Sequence, residues 1–192
     1  MRYIEIRLKK NPDVSMGFLW SLVYGKVHEV LYRAKKNGVE HGVSFPEYGN
    51  GEKFPLGTKL RIFGEKEELE KLKLPERMGS LKEYVEITSP MEVPKNHRFA
   101  AWRRYRKKKG SPQRARRYAK RHGISFEEAM RIYEKTEEKK DVPYFMHKSR
   151  STGQRLSVFV EKREGGDNPV NSGKGFDSFG LSREGLTYLP DF

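Results

Sequence analysis

The sequence predicts an α+β protein, and three observations predict it. Short runs of alternating apolar residues near the N-terminus are separated by a long run with helical period. The order of such runs over residues 1–94 is βαββαβ, and a block of positive charge follows before further strand-like runs. The order βαββαβ over about 90 residues is that of a ferredoxin-like unit. The expected architecture is therefore a ferredoxin-like domain, 1–94, followed by a smaller α+β domain, 95–192, with an arginine-rich helix and a short antiparallel sheet.

Each element has its own reason. Ile4, Ile6 and Leu8 alternate with Glu5 and Arg7, the period of a half-buried strand. After the turn Asn11-Pro12-Asp13 the period changes. Advancing about 100° per residue puts Met16, Leu19, Trp20, Val23, Val27, Val30, Leu31 and Ala34 within one arc of roughly 120°, an amphipathic helix of about five turns. Gly42-Val43-Ser44-Phe45-Pro46 reads as a second strand, and Leu60 with Ile62 marks a third, reached through Leu56-Gly57. Glu65 to Leu74 reads as a charged helix anchored by Leu69 and Leu72, and Val85 with Ile87 marks a fourth strand. Pro90 and Pro94 place the domain boundary near residue 94. Beyond it, Ser111-Pro112 opens a helix, and Ser125 with Glu128 three residues on is a capping box for another. Val142 to Met146, the run Leu156/Val158/Val160, and Phe176 to Gly180 are strand candidates. Gly165 to Gly175 holds four glycines, two asparagines and a proline, the composition of a mobile loop.

Charge is localised. The 192 residues carry 40 Lys and Arg against 26 Asp and Glu, a net charge of +14. From Lys95 to His122 there are 13 basic side chains and no acidic one, which leaves 27 basic against 26 acidic residues elsewhere. So dense a local cation implies a polyanion, and the 12% aromatic content favours nucleic acid over a membrane surface. The absence of cysteine excludes a disulfide scaffold, a thiolate zinc site, an iron–sulfur cluster and a cysteine nucleophile. No run of about 18 apolar residues and no N-terminal signal pattern is present, so a cytoplasmic protein is expected.

Within the block, Gln113 to His122 reads as a helix. On the same wheel Arg114, Arg116, Arg117, Lys120 and Arg121 share an arc of about 160°, with Ala115, Tyr118, Ala119 and His122 opposite. Solvated helices normally mix signs to gain neighbouring ion pairs, so five like charges on one face point to phosphates along a groove. Ala101-Trp102-Arg103-Arg104-Tyr105-Arg106 interleaves arginine with aromatic rings. Such arginines can read guanine bidentately and such rings can stack on bases, or the segment is a strand with Trp102 inward. His28 falls at about 180° when the apolar arc of the first helix is centred near 60°, beyond its hydrophobic edge beside Tyr24, Lys35 and Ser21. An imidazole with an ordinary pKa of about 6.5 serves as general acid or base near neutrality. His41, His97, His122 and His147 show no metal-ligand spacing. Lys148 to Gln154 is a hydroxyl-rich turn whose groups suit a phosphate or ribose, or simply close a hairpin. The glycines around Lys174 do not make a phosphate loop, because glycine follows the lysine where Ser or Thr is required.

These residues carry a resemblance. Tyr3-Ile4-Glu5-Ile6-Arg7-Leu8, Tyr24-Gly25-Lys26-Val27-His28, Gly42 to Pro46, Leu60-Arg61-Ile62, the helix ending Lys120-Arg121-His122, Ser149-Arg150-Ser151-Thr152-Gly153-Gln154 and Phe179-Gly180-Leu181-Ser182 are similar to the CRISPR-associated endoribonuclease of the type I-F system, along nearly the whole chain. The resemblance implies a metal-independent endoribonuclease without cofactor. It would bind the CRISPR repeat RNA hairpin, cut at the base of the stem to leave 2′,3′-cyclic phosphate and 5′-hydroxyl ends, and stay on the product with other subunits of a type I-F surveillance complex. Carried across, His28 is the catalytic base and Ser149 holds the ribose. Arg104 and Arg106 read the lowest base pairs, beside a lysine run that holds an insertion. Arg114, Arg116, Arg117, Lys120, Arg121 and His122 grip the stem, and Ser151 and Thr152 join the RNA contacts. Two positions depart from the family. Phe179 stands where a tyrosine is frequent, removing a hydroxyl that would orient His28, and Leu156 stands where an aromatic stacks beneath the terminal base pair. The alternatives are a hairpin-binding subunit that does not cleave and, on the charge block alone, a DNA-binding regulator.

Overall fold

The computed structural model describes residues 1–49, 54–106, 112–149 apart from 136–141, and 152–192. They form two compact units, one of residues 1–104 with 143–192 and one of residues 105–142.

The first unit is α+β. Strand β1 (Arg2–Leu8) leads to helix α1 (Met16–Lys36), then to β2 (Gly42–Ser44) and β3 (Lys59–Gly64). Two short helices follow, α2 (Lys66–Lys71) and α3 (Leu74–Met78), then a 3₁₀ turn over Gly79–Tyr84, β4 (Val85–Ile87) and β5 (Met91–Glu92). The strand order is β2-β3-β1-β4, with β5 paired to β1, and the register sets Ile4 opposite Ile62 and Ile6 opposite Leu60 in an antiparallel ladder. The second sheet has the order β7-β8-β6-β9, from β6 (Arg98–Tyr105), β7 (Tyr144–Lys148), β8 (Arg155–Gly166) and β9 (Leu189–Asp191).

Helix α1 has two buried faces. Leu19, Val23, Val27, Val30 and Leu31 pack into the core with Ile4, Ile6, Leu60 and Ile62 of the first sheet. The ring of Tyr24 lies 4.0 Å from that of Phe145 on β7. The wheel placed Tyr24 on the polar side with His28, and that placement is corrected: Tyr24 is fully buried. A phenol reads as a surface group in a periodicity pattern, but here its body packs on Phe145 and its hydroxyl donates to the Phe179 carbonyl at 2.7 Å. Trp20 is likewise fully buried and donates its indole N–H to the Gly57 carbonyl at 2.8 Å.

Three further expectations change. The single charged helix over Glu65–Leu74 is two short ones. Pro75 has no N–H to bond back and its ring excludes a continuous turn, so the chain reverses at Lys73, whose φ is 46°. The strand expected over Phe176–Gly180 is a turn. The Asp177 carboxylate accepts from the Phe179 and Leu181 N–H groups at 2.8 and 3.0 Å, and Gly180 takes φ 74°, leaving only a bridge from Phe176 to Ser182. Finally, β8 continues to Gly166, so the glycine-rich loop begins later than its composition suggests. Trp102 points inward as expected and is buried, with Arg103 paired to Glu161 of β8.

The second unit is a helical hairpin, α4 (Pro112–His122) and α5 (Phe126–Lys135). Its core is small: Ala115, Ala119 and Ala129 are buried, with Tyr118, Ile124, Phe126, Met130 and Tyr133 packed against them. The capping box is formed. Ser125 Oγ accepts from the Glu128 N–H at 3.0 Å, and the Glu128 carboxylate accepts from the Ser125 N–H at 3.4 Å.

Candidate active site and nucleic-acid interface

His28 sits on the fourth turn of α1, one turn beyond Tyr24, and the same tertiary contact that buries Tyr24 encloses one side of His28. Its ring stacks on Phe179 with centroids 4.1 Å apart and planes 25° from parallel. On β7 the His147 ring meets it edge to face at 4.6 Å. The chain of causes is short: Tyr24 holds the Phe179 carbonyl, the Asp177 turn fixes the backbone on either side, and the Phe179 ring then sets the plane of the imidazole. Orientation that a hydroxyl would supply comes here from ring contact.

The electrostatics favour a neutral imidazole. Burial, followed by the neighbouring His147 and the Arg104 guanidinium, lowers the His28 pKa to about 4. His147, itself buried, is lowered from its ordinary value by burial and by Arg104. Arg104 on β6 lies over the Phe179 ring at 5.4 Å, so one of the two arginines expected to read base pairs is beside the histidine. The Asp177 carboxyl is raised by burial, against the two N–H groups that bond it.

A cleft of about 900 Å³ opens between the exposed side of α1 and the end of β7, and both His28 and Ser149 line it. Ser149 stands at the start of the hydroxyl-rich turn. Its N–H donates to the Gln154 carbonyl at 2.8 Å, its carbonyl accepts from the Gly153 N–H at 2.9 Å, and its hydroxyl oxygen accepts from the Thr152 N–H at 3.3 Å. Gly153 closes this turn with φ 68°. Thr152 is exposed beside it, and Ser151 lies outside the described residues. Leu156 is half-buried on β8.

In the helical hairpin, Arg114, Arg116, Arg117, Lys120 and Arg121 are all exposed while Ala115 and Ala119 face the core, the one-sided stripe expected from the wheel. The Arg116 guanidinium lies 5.5 Å over the Phe126 ring, and His122 stacks against Tyr118 at 4.1 Å. Arg106 is exposed just past β6. Among the described residues no group of three or more His, Asp or Glu is placed to hold a metal ion, and no helix is long and apolar enough to cross a membrane.

Sequence reasoning missed His147 and the approach of Arg104. His147 stands on β7 two residues before Ser149, which begins the turn after that strand, and nothing in its spacing marks it as a neighbour of His28.

Two curated relatives align with almost the full chain. The CRISPR-associated endonuclease Cas6/Csy4 of Pseudomonas aeruginosa (strain UCBPP-PA14) is 30% identical over 185 residues, 96% of each chain. The CRISPR-associated endonuclease Cas6/Csy4 of Escherichia coli (strain UTI89 / UPEC) is 29% identical over 184 residues, 94% of each. The family model described as CRISPR-associated protein (Cas_Csy4) matches residues 3–192, and the chain belongs to that family.

Proposed function

We propose that the chain is a metal-independent endoribonuclease that binds the stem-loop of CRISPR repeat RNA, cuts at the base of the stem and remains on the product hairpin. The observation that carries the reading is a neutral imidazole and a positioned hydroxyl, His28 and Ser149, on the walls of one cleft. The family membership and the names of the two relatives point the same way.

In this mechanism the nucleotide before the scissile phosphate presents its 2′-hydroxyl to His28, which takes the proton. The O2′–P bond forms as the P–O5′ bond breaks, leaving a 2′,3′-cyclic phosphate, and the departing O5′ takes a proton to end as a 5′-hydroxyl. Ser149 holds the ribose so that O2′, phosphorus and O5′ are in line. Positioning of this kind and a base already neutral at pH 7 supply much of the barrier reduction. Arg104 and Arg106 read the bottom of the stem through its major groove. The cationic face of α4, with His122, grips the phosphates, and Thr152 and Ser151 add contacts near the cut. A-form RNA offers side chains mainly shape and backbone, which suits an arginine stripe.

The division of labour we propose follows the chain, with a ferredoxin-like domain over 1–94 carrying the base and residues 95–192 holding the hairpin. The enzyme acts in the cytoplasm alongside other subunits of a type I-F surveillance complex. The test is incubation with the repeat hairpin in EDTA. Wild type should give a single cut with a 2′,3′-cyclic end, and His28→Ala should bind with unchanged affinity and cut at least 10³-fold more slowly, on the order expected for removing a general base and its positioning. A hairpin shifted but never cut by wild type, or cutting that survives His28→Ala, would sink the assignment.

A further inference from the structure

Strand β7 presents two residues to helix α1 in step with it. Phe145 and His147 share the buried face of the strand, about 6.6 Å apart along it, while Tyr24 and His28 are one turn, about 6 Å, apart along α1. The matched spacings set Phe145 against Tyr24 at 4.0 Å and His147 against His28 at 4.6 Å. The first pair is ordinary core. The second is not explained by packing, because His147 is only 5% exposed and its Nδ1 is buried without a hydrogen-bond partner. An orphaned ring nitrogen at that depth disfavours the fold, and leucine would fill the place without one.

Three rings meet at this point. His28 lies 4.1 Å from Phe179 and 4.6 Å from His147, and His147 lies 5.2 Å from Phe179. The Phe179 ring is 25° from the plane of His28, whereas His147 stands at 74° to His28 and 81° to Phe179. A stacked ring alone leaves an imidazole free to slide across it, and a second ring set nearly perpendicular to both closes that freedom. We propose that His147 is a positioning residue for the cleavage reaction, its ring holding His28 in the plane presented to the cleft and its capacity for a proton keeping a second positive charge off the base. The proposal rests on the nuclease reading above. The orphaned nitrogen is the observation that favours function over packing, since natural cores seldom keep one. An imidazole also differs from a phenyl ring in a respect that His28 feels: once protonated, it opposes a second charge 4.6 Å away. The low pKa of His28, for which His147 is the second cause after burial, agrees. The other ionisable groups around His28 are Arg104 on β6, Lys148 at the end of β7, Asp177 in the turn before Phe179, and Glu29 and Tyr32 on α1, and a change at His147 leaves them all in place.

The experiment compares wild type, His147→Leu and His147→Phe in three measurements: single-turnover cleavage of the repeat hairpin at saturating enzyme from pH 4 to 8, affinity for the hairpin with a 2′-deoxy nucleotide at the cut, and urea unfolding. His147→Leu should cleave about tenfold or more slowly at pH 8, with unchanged affinity and a urea midpoint no lower than that of wild type. His147→Phe, which restores a ring, should cleave within about threefold of wild type at pH 8 but with its acid limb at higher pH. Cleavage by His147→Leu at the wild-type rate would overturn the proposal. So would a loss that His147→Phe does not restore, a loss that comes with weaker binding or a lower urea midpoint, or an acid limb of His147→Phe that stays where wild type has it. Wild type that binds the hairpin without cutting it would instead overturn the nuclease reading on which the proposal rests.

Discussion

Lowering the pH probes the surroundings of His28 directly. With the pKa at about 4, burial being the largest cause and His147 and Arg104 adding to it, the imidazole stays neutral far below the ordinary titration range. At pH 5.5 a histidine titrating at 4 is about 97% neutral, whereas one at 6.5 is about 9% neutral, a difference of about tenfold in available base. The second-order rate of hairpin cleavage at sub-saturating RNA reports the free enzyme and should therefore be nearly flat from pH 7.5 to 5.5, with its acid limb below 5. The groups facing His28 are Phe179 from the Asp177 turn, His147 from β7 and Arg104 from β6. Because burial dominates, His147→Leu should raise the limb only partway. Stability carries the same sign. Protons bind the unfolded imidazole first, so the native state loses stability as pH falls from 6.5 towards 4. After allowance for the solvent that reaches this half-buried ring, His28 contributes about 1 kcal/mol of that loss between pH 7 and 5. Urea titrations of wild type and His28→Gln should differ by that slope. A cleavage limb centred at 6.5 would refute the burial argument.

Two further outcomes follow from the packing. Arg61 donates to Glu5 at 2.9 Å and to the Phe192 carbonyl, with both side chains of the pair about one-tenth exposed. Arg61→Met should destabilise by about 2 kcal/mol because it leaves the Glu5 carboxylate with the more exposed Arg7 guanidinium at 3.5 Å in place of the closer pair, and adding Glu5→Gln should recover much of the loss. A single variant whose urea midpoint matches wild type would contradict this. In the helical hairpin, Ser125→Ala removes one side of the capping box at a cost of about 1 kcal/mol. With so small a core, amide exchange over residues 126–133 should quicken about fivefold, and unchanged exchange would show that the cap is not limiting.

Much of the fold was legible because it is periodic. The β1 alternation, the apolar arc of α1, the Ser125 cap and the cationic stripe of α4 all appear where their spacing places them. Legibility failed where one residue answers to two neighbours. Tyr24 looked like a surface residue because a single arc was fitted to α1, and the second sheet supplies a second one. Phe176–Gly180 reads as a strand candidate, but the Asp177 side chain captured the backbone N–H groups a ladder would need. The strand Leu189–Asp191 was too short, and too marked by Pro190, to show a period.

The candidate site divides the same way. His28 and Ser149 were reached through their segments, Gly-Lys-x-His and Ser-x-Ser-Thr-Gly-Gln, and through resemblance. By itself the sequence determined the α+β class, the polyanion partner and the location of the main charge block, since these depend on composition and on contacts within a few residues. Only the tertiary structure decided that Phe179, His147 and Arg104 surround His28 and lower its pKa, and that Lys26, Arg33, Lys36 and Lys148 line one cleft. The physical reason is that charge and burial act through space. Residues far apart in the chain become neighbours when α1 is packed between two sheets, and a net charge summed along the sequence cancels cations that the fold has gathered on one wall.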